Sequence, residues 1–239
     1  WYKNLYEIIE DVDYLVIALE PSKQVKILKN IFTLKKKFKH IFLEKPINNN
    51  PNNSLMMIRY LKKKGANYSI GFIFEYLKWI KFLRTKKKRE NFKIVWTVKK
   101  KNFSNSWKYN LNKGGGLIRY YGIHFLRIFK YLKYDKIQKN FYVKDKWDLT
   151  VKNKLNITIN LIIKFSKNEK FLLKKGEKKI IISSNPFLVD ISKYQLDPRI
   201  NFLKKYIISQ IYNYKDLTKD YIDLTSFWAQ IEKTINQKN

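Results

Sequence analysis

The chain has 239 residues, of which 45% are hydrophobic and 16% aromatic, enough for one large or two small cores. It has no cysteine and two histidines, which excludes disulfides and thiol catalysis and argues against a metal site. The net charge of +32 is spread over short basic runs and accompanies many Asn, Ile, Tyr and Phe residues, so biased codon usage explains it better than a specific nucleic-acid partner.

A helix and a buried strand are predicted at the start of the chain. Residues 1–10 form a short helix that leads into Tyr14–Leu19, an apolar run with polar flanks that is typical of a buried parallel strand. Pro21 ends this strand, and Ser22 is a favourable N-cap for the following helix. No apolar run is long enough to span a membrane and no signal peptide is visible, so we expect a cytoplasmic protein without a membrane partner.

A second predicted strand, His40–Leu43, carries a charged pair at its carboxyl end. Glu44 and Lys45 follow it directly and precede Pro46. Ligands of open α/β sheets bind at the carboxyl ends of the strands. Glu44 and Lys45 are therefore candidate site residues.

A helix and a strand complete the first predicted domain. The helix runs from about Ser54 to Lys64 and stops at Gly65. Tyr68–Phe74 is the last strand of a domain that we place at residues 1–74, and an aromatic-rich helix is predicted over Tyr76–Leu83.

The second predicted domain covers residues 75–239 and belongs to the α+β class. Apolar and polar residues alternate from Phe92 onward, which is the pattern of half-buried strands in a largely antiparallel sheet. The predicted strands are 92–98, 141–143, 157–165, 171–173 and 179–183, and the predicted helices are 199–213 and 217–236.

A glycine-rich turn opens a further predicted helix. Gly114–Gly116 can approach a ligand closely, and Tyr120, His124 and Arg127 are spaced so that they lie one above another on adjacent helical turns. A histidine in this place is a usable general base. A core histidine and an ordinary turn would give the same pattern, and both alternatives stay open.

Three motifs follow one another along the chain: Ala18-Leu-Glu-Pro21, Glu44-Lys45-Pro46 and Gly122-Ile-His124. Together they resemble the glucose–fructose oxidoreductase/inositol dehydrogenase/MocA family, which shares an Ala-Thr-Pro-type turn, a Glu-Lys-Pro turn and an Asp-x-Gly-x-His pattern. The resemblance implies a partial Rossmann-type doubly wound domain followed by an α+β domain. It also implies that the first strands of that domain and its Gly-x-Gly-x-x-Gly turn are missing from the sequence given.

The resemblance implies an NAD(P)-dependent oxidoreductase that transfers hydride between the nicotinamide and a sugar-like hydroxyl or carbonyl. Lys45 would stabilise charge on the reacting oxygen and His124 would exchange the proton. NAD or NADP would be the cofactor. The implied catalytic residues are Lys45, His124 and Tyr120; the cofactor-binding residues are Ala18, Pro21, Glu44 and Lys45; the substrate-binding residues are Lys108, Tyr120 and His124.

Five residues depart from the family's pattern. Tyr120 and Arg127 stand where the family has aspartates, and Gln24 stands where a histidine is common; Leu19-Glu20 replaces Thr-Pro. Two other interpretations therefore stay open: a catalytically lapsed or fragmentary member with a structural role, and a basic nucleic-acid-binding protein. A homo-oligomer formed through the C-terminal sheet is a further expectation.

Overall fold

A computed structural model describes residues 7, 9, 11–34, 36–84, 90–99, 106–188, 197 and 199–235. The helix predicted over residues 1–10 lies mostly outside the described residues. Within them, every helix is too short or too polar to cross a bilayer. The same residues include no group of three or more His, Asp or Glu side chains that could hold a metal ion.

Three parallel strands form the first sheet, in the order β1–β2–β3. They are β1 (Tyr14–Ile17), β2 (His40–Leu43) and β3 (Tyr68–Ile70). Helices α1 (Pro21–Ile31) and α2 (Pro51–Lys63) connect them in turn. Parallel strands joined by helices confirm the predicted Rossmann-type class.

The central strand of this sheet sets the position of the site. β2 is buried along its whole length, which explains its uninterrupted apolar sequence. Its last residue, Leu43, pairs with Ile17 of β1 and with Ile70 of β3. The three strands therefore end at the same edge of the sheet.

The first helix begins two residues earlier than the predicted cap allows. Pro21 is the first residue of α1 and Glu20 is its N-cap, because the fixed φ of proline suits the first helical position. Ser22 lies inside the first turn, where its hydroxyl donates to the Glu20 carboxylate at 3.0 Å. The prediction of Ser22 as the N-cap was wrong.

The second helix also begins early, at Pro51 instead of Ser54. The Asn50 side chain caps it by accepting a 2.9 Å hydrogen bond from the Asn53 amide. Asparagine is one of the strongest N-cap residues, so the polar loop before Ser54 contains the helix start.

The segment after β3 differs from the prediction. The strand predicted over Tyr68–Phe74 ends at Ile70, and the helix predicted over Tyr76–Leu83 is replaced by 3₁₀ turns at Ile73–Tyr76 and Lys78–Leu83. The buried residues of the second turn include Ile80 and Leu83, whose three-residue spacing matches the three residues per turn of a 3₁₀ helix.

Six strands form the second sheet, in the order β5–β6–β7–β4–β8–β9. The β4–β7 pair is parallel and the other pairs are antiparallel, which confirms the predicted, largely antiparallel sheet. The sequence analysis missed β6, although Trp147, Leu149 and Val151 alternate with polar residues there. The strands are β4 (Asn91–Lys99), β5 (Lys136–Val143), β6 (Lys146–Lys152), β7 (Thr158–Ser166), β8 (Lys170–Lys175) and β9 (Lys178–Ser183).

Three helices accompany this sheet: α3 (Ile123–Tyr131), α4 (Ile200–Tyr212) and α5 (Thr218–Lys233). Helix α5 contacts both α2 and α3. One hydrophobic core therefore extends from Ile17 in the first sheet to Trp147 in the second. The domain boundary after residue 74 stays a prediction.

Candidate active site

The candidate site lies at the edge where β1, β2 and β3 end. The glycine turn of the second part of the chain packs directly on this edge. Gly114 has a φ of +85°, and a Cβ added there would lie 2.9 Å from Pro21 Cγ and 3.0 Å from Asn49 Cα. Glycine is therefore required, both by the backbone conformation and by the close approach.

Lys45 is the cation at the centre of the site. Its side chain follows β2 and is buried, with 5% of the residue exposed. Its ammonium donates a 2.6 Å hydrogen bond to the backbone carbonyl of Tyr120 and lies 3.7 Å from the centroid of the Tyr120 ring. Burial lowers the pKa of Lys45 to about 8, against the opposing charge of Glu44.

His124 lies on α3 and is also buried. Its ring stacks on Phe74, with centroids 4.1 Å apart, and meets the ring of Phe72 edge-on. Its Nδ1 has no hydrogen-bond partner among the described residues. Burial and then the charge of Lys45 lower the pKa of His124 well below its ordinary value, so the imidazole is neutral.

Tyr120 lies between two lysines. Its ring is 3.7 Å from the Lys45 ammonium and 5.4 Å from that of Lys108, and it meets Trp107 edge-on at 5.2 Å. Burial raises the pKa of Tyr120 to about 12, so the phenol stays neutral. At the position of the family's aspartate, this chain therefore presents an aromatic face to the ammonium.

The helix that carries Tyr120 is not regular. Leu117–Gly122 is a π-helix that continues into α3. The predicted stacking of Tyr120 above His124 assumed an α-helix throughout, which was wrong for this segment. Gly122 lies against Trp147 so closely that a Cβ would be 2.3 Å from the indole ring. Such π segments are frequent at functional sites.

Gln24 holds the turn after β2, a role that sequence analysis missed. Its side-chain amide donates to the carbonyl of Glu44 at 2.9 Å and accepts from the Glu44 amide at 2.9 Å. It also donates to the carbonyl of Ile47 at 3.3 Å. The Lys45–Pro46 peptide bond in this turn is cis. Gln24 therefore holds the backbone of the turn that carries Glu44 and Lys45.

The acidic residue of the pair, Glu44, is half-buried beside Lys45. Burial raises the pKa of the Glu44 carboxyl, while the charges of Lys45 and Lys108 lower it. The carboxyl thus lies within electrostatic reach of both lysines. Of the other predicted residues, Pro21 is buried under the glycine turn, whereas Ala18 and Lys108 are exposed at the same edge.

Arg127 is engaged in ion pairs away from Lys45. Its guanidinium pairs with the Glu75 carboxylate and lies 3.9 Å from that of Asp220. Burial raises the pKa of Glu75, and the Arg127 charge lowers it. Arg127 therefore joins α3 to the turn after β3 and to α5.

Arg119 is the second residue that sequence analysis missed. It forms two hydrogen bonds with the Glu232 carboxylate, at 2.7 and 2.8 Å. It also donates to the carbonyls of Asn49 and Leu111 at 2.9 and 2.8 Å. One guanidinium thus ties the glycine turn to the first sheet and to α5, and no local sequence pattern signals this.

A family model matches the first part of the chain. Residues 1–72 match GFO_IDH_MocA, described as the oxidoreductase family with an NAD-binding Rossmann fold. Residues 1–72 belong to the Gfo/Idh/MocA family. A search of curated proteins found no match.

Solved dehydrogenases share the fold of the whole chain. The WlbA (WbpB) dehydrogenase from Thermus thermophilus, in complex with NAD and α-ketoglutarate, has a TM-score of 0.71 at 13% identity; the match covers 98% of this chain and 77% of that chain. The dehydrogenase MviM from Clostridium difficile has a TM-score of 0.64 at 14% identity, over 98% and 82%. KijD10, a 3-ketoreductase from Actinomadura kijaniata with NADP and TDP-benzene, has a TM-score of 0.66 at 10% identity, over 99% and 83%.

The cofactor of this Gfo/Idh/MocA family is NAD or NADP. The residues at the strand edge fit its reactive end, because two buried polar groups there keep hydrogen-bonding capacity. The Lys45 ammonium has three donors, and the one acceptor found for it among the described residues is the Tyr120 carbonyl. The Nδ1 atom of His124 has no hydrogen-bond partner among the described residues. Ala18, Pro21, Glu44 and Lys45, the cofactor-binding residues that the resemblance implies, lie at this edge, and their role stays a prediction.

Proposed function

We propose that this protein is an NAD(P)-dependent oxidoreductase that interconverts a hydroxyl and a carbonyl group on a sugar or sugar derivative. The observation that carries the proposal is the buried Lys45 ammonium at the carboxyl edge of a Rossmann sheet. The neutral His124 is close enough for the Lys45 charge to lower its pKa. WlbA, which shares the fold, is crystallised with NAD and UDP-GlcNAcA, which supports a sugar-derivative substrate.

Lys45 is proposed to act on the reacting oxygen. When bound, the cofactor supplies or accepts the hydride. The Lys45 ammonium donates a hydrogen bond to the substrate oxygen and stabilises the negative charge that develops there. Burial strengthens this interaction because water does not compete for the ammonium.

His124 is proposed to transfer the proton. Because its imidazole is neutral, one ring nitrogen can accept the hydroxyl proton during oxidation and return it during reduction. Stacking on Phe74 fixes the plane of the ring. Tyr120 and Lys108 are proposed to contact the substrate beside these two groups.

The experiment is an assay of the protein expressed from its complete coding sequence. Absorbance of reduced NAD and NADP is followed with a panel of sugars and nucleotide sugars. We expect turnover with at least one substrate and a loss of about tenfold or more in Lys45→Met, as for removal of an electrostatic donor. Lys63→Met, which removes an exposed lysine from α2, is the matched control and should leave the rate unchanged.

A catalytically lapsed protein with a structural role is the second candidate. Two observations favour it. The Tyr120 ring and carbonyl both contact the Lys45 ammonium, and His124 is only 6% exposed, so a substrate has little access to either group. In that case the folded protein would be inert on the whole panel. Cofactor binding is measured by nicotinamide fluorescence. If the protein shows neither turnover nor cofactor binding, the second candidate replaces the first proposal.

A further inference from the structure

Two aromatic rings contact the imidazole of His124. The Phe74 ring lies nearly parallel to it, with centroids 4.1 Å apart and an interplanar angle of 6°, and the Phe72 ring meets it edge-on at 6.3 Å. In the part of the chain that the structure describes, the Nδ1 atom of His124 has no hydrogen-bond partner. The orientation of the imidazole therefore depends on the contacts that keep these two phenylalanine rings in place.

Both phenylalanines belong to the segment that leaves the first sheet. Phe72 lies two residues beyond the end of β3, and Phe74 lies in the 3₁₀ turn Ile73–Tyr76. The backbone bonds of this segment run from the Glu75 amide to the Phe72 carbonyl at 3.1 Å and from the Leu77 amide to the Phe74 carbonyl at 3.0 Å. A single helical turn is not stable by itself, so side-chain contacts must fix it against α3.

Arg127 supplies such a contact from α3. Its guanidinium pairs with the carboxylate of Glu75, the residue next to Phe74, and the two paired side chains are 6% and 30% exposed. The same guanidinium lies 6.0 Å from the centroid of the Phe72 ring. Arg127 follows His124 by three residues, so the two side chains lie on the same face of α3. One guanidinium thus connects the helix of His124 to the segment that carries both rings.

We propose that the ion pair between Arg127 and Glu75 positions the imidazole of His124. The pair fixes the turn that carries Phe74, and the Phe74 ring fixes the plane of the imidazole. The inference rests on the proposed function, in which His124 exchanges the proton, because a general base acts only within hydrogen-bond reach of the substrate. Misplacing a reacting group by about 1 Å can cost about a hundredfold in rate.

The two residues of the pair are matched to each other. Arg127 stands where the resembled family often has an aspartate. An aspartate at this position would repel the Glu75 carboxylate, because neighbouring like charges disfavour ionisation. The positive charge at position 127 therefore suits the negative charge at position 75, and exchanging the two charges should preserve the pair.

Apolar packing of Phe74 is the competing explanation. The Phe74 ring also contacts the rings of Trp96, Phe125 and Phe187, at centroid distances of 5.9, 5.5 and 5.2 Å. If these contacts alone fixed Phe74, loss of the ion pair would lower stability and leave the imidazole where it is. A measurement that reports the contact between the Phe74 ring and the imidazole separates the two explanations.

The test is NMR of the protein expressed from its complete coding sequence with isotope-labelled histidine. His124→Asn identifies the His124 signal, because this signal disappears in the variant. A proton held over the face of an aromatic ring resonates upfield of its ordinary position, and stacking on Phe74 predicts such a shift for His124. Phe74→Leu removes the ring and gives the position of the signal without stacking.

Loss of the ion pair should move the His124 signal toward its position in Phe74→Leu. We expect this in Arg127→Met and in the double variant Glu75→Gln/Arg127→Met. The double variant leaves neither buried partner with an unpaired charge, so it should fold even where Arg127→Met alone is too unstable. The exchanged pair, Glu75→Arg/Arg127→Glu, should restore most of the shift. Asp220 lies 3.9 Å from the guanidinium, but its side chain is 52% exposed, so it should oppose this rescue only weakly.

The matched control is Arg84→Met, which removes an exposed arginine that donates to the Tyr131 hydroxyl of the same helix at 3.3 Å. It should leave the His124 signal in place. Circular dichroism shows which variants are folded. An unmoved signal in the folded double variant overturns the inference.

Turnover gives a separate readout. In an active wild type, Arg127→Met should lower kcat about tenfold, and by no more than His124→Asn does, because the arginine acts through the histidine. KM should change less than about twofold, since Arg127 does not contact the substrate. An inert wild type whose His124 signal still depends on Arg127 contradicts the proposed function and leaves the positioning role intact. An active wild type whose signal does not depend on Arg127 contradicts the positioning role alone.

Discussion

The Lys45 ammonium lies 3.7 Å from the centroid of the Tyr120 ring and donates a 2.6 Å hydrogen bond to the carbonyl of the same residue. One residue, 75 positions away along the chain, thus supplies both of these contacts. A ring face and a carbonyl attract a cation through partial charges, whereas a carboxylate carries a full charge. The ammonium is therefore less stabilised than it would be beside an aspartate.

Replacing Tyr120 by aspartate should raise the pKa of Lys45. We expect a rise from about 8 toward the ordinary value of 10.5, because an opposite charge favours the ammonium. Tyr120→Phe keeps the ring and should leave the pKa in place. The measurement is an NMR titration of the lysine ε-carbons, in which Lys45→Met identifies the signal. An unchanged pKa in Tyr120→Asp would contradict the role given to the ring.

Lys45→Met should reduce turnover more than His124→Asn, by about tenfold or more. In the part of the chain that the structure describes, the other lysine at this edge is Lys108, which is exposed and therefore replaces the buried Lys45 ammonium poorly. Water or the Tyr120 hydroxyl can carry the proton. The rates are compared in the complete protein with the best substrate of the panel. The test is which variant loses more of its turnover rate. A larger loss in His124→Asn than in Lys45→Met would contradict the prediction that Lys45 contributes more to the rate.

His40 should make the protein sensitive to acid. Burial lowers the pKa of His40 to about 4, from 6.5. Between these values the unfolded chain binds a proton that the folded protein excludes, so stability falls as the pH drops from 6.5 to 4. The loss can reach about 3 kcal/mol, at 1.36 kcal/mol per pH unit.

The variant that isolates this effect is His40→Phe, an aromatic residue that does not titrate and suits the neighbouring rings of Phe42 and Tyr214. Unfolding free energies from urea titrations are compared for the two proteins at several pH values. The difference between them should change across this window and be constant above it. Parallel curves down to pH 4 would contradict the assignment to His40.

Arg119→Met should destabilise the protein by about 2–3 kcal/mol, because it leaves the Glu232 carboxylate without its cation and takes one donor from each of the Asn49 and Leu111 carbonyls. Glu232 keeps the Trp228 indole as a donor. The Arg119 and Glu232 side chains are 17% and 19% exposed. The control is Lys39→Met, which removes an ion pair with Asp13 whose side chains are 65% and 51% exposed. Such an exposed pair should leave the urea midpoint unchanged. Equal midpoints for both variants would show that Arg119 does not join the parts of the fold.

Gly122→Ala should destabilise the fold, although alanine favours helices by about 1 kcal/mol over glycine. The added Cβ would lie 2.3 Å from Trp147 Cζ3 and 3.0 Å from the Leu117 carbonyl. Overpacking of this kind costs about 2 kcal/mol. Trp147→Phe removes the clashing atom, so the alanine should cost less in that background. Additive effects in this double-mutant cycle would exclude the clash as the cause.

The sequence by itself determined the order of the motifs and the strands other than β6. Alternation with a period of two indicated β4 and β7, and an uninterrupted apolar run indicated β2, because these patterns follow from which faces of a strand are buried. Chain continuity then placed Lys45 at the end of β2. Local pattern was less decisive at helix starts, since Pro21 and Pro51 compete there with Ser22 and Ser54.

The tertiary structure alone decided the contacts around Lys45. Gln24 forms hydrogen bonds with the Glu44 backbone, 20 residues away in the sequence. Arg119 forms hydrogen bonds with Glu232, 113 residues away. Nothing local encodes such pairs, because they depend on the paths of all the loops in between. The close packing of the Trp147 indole on Gly122, the last residue of the π-helix, is likewise a contact that the fold as a whole brings about.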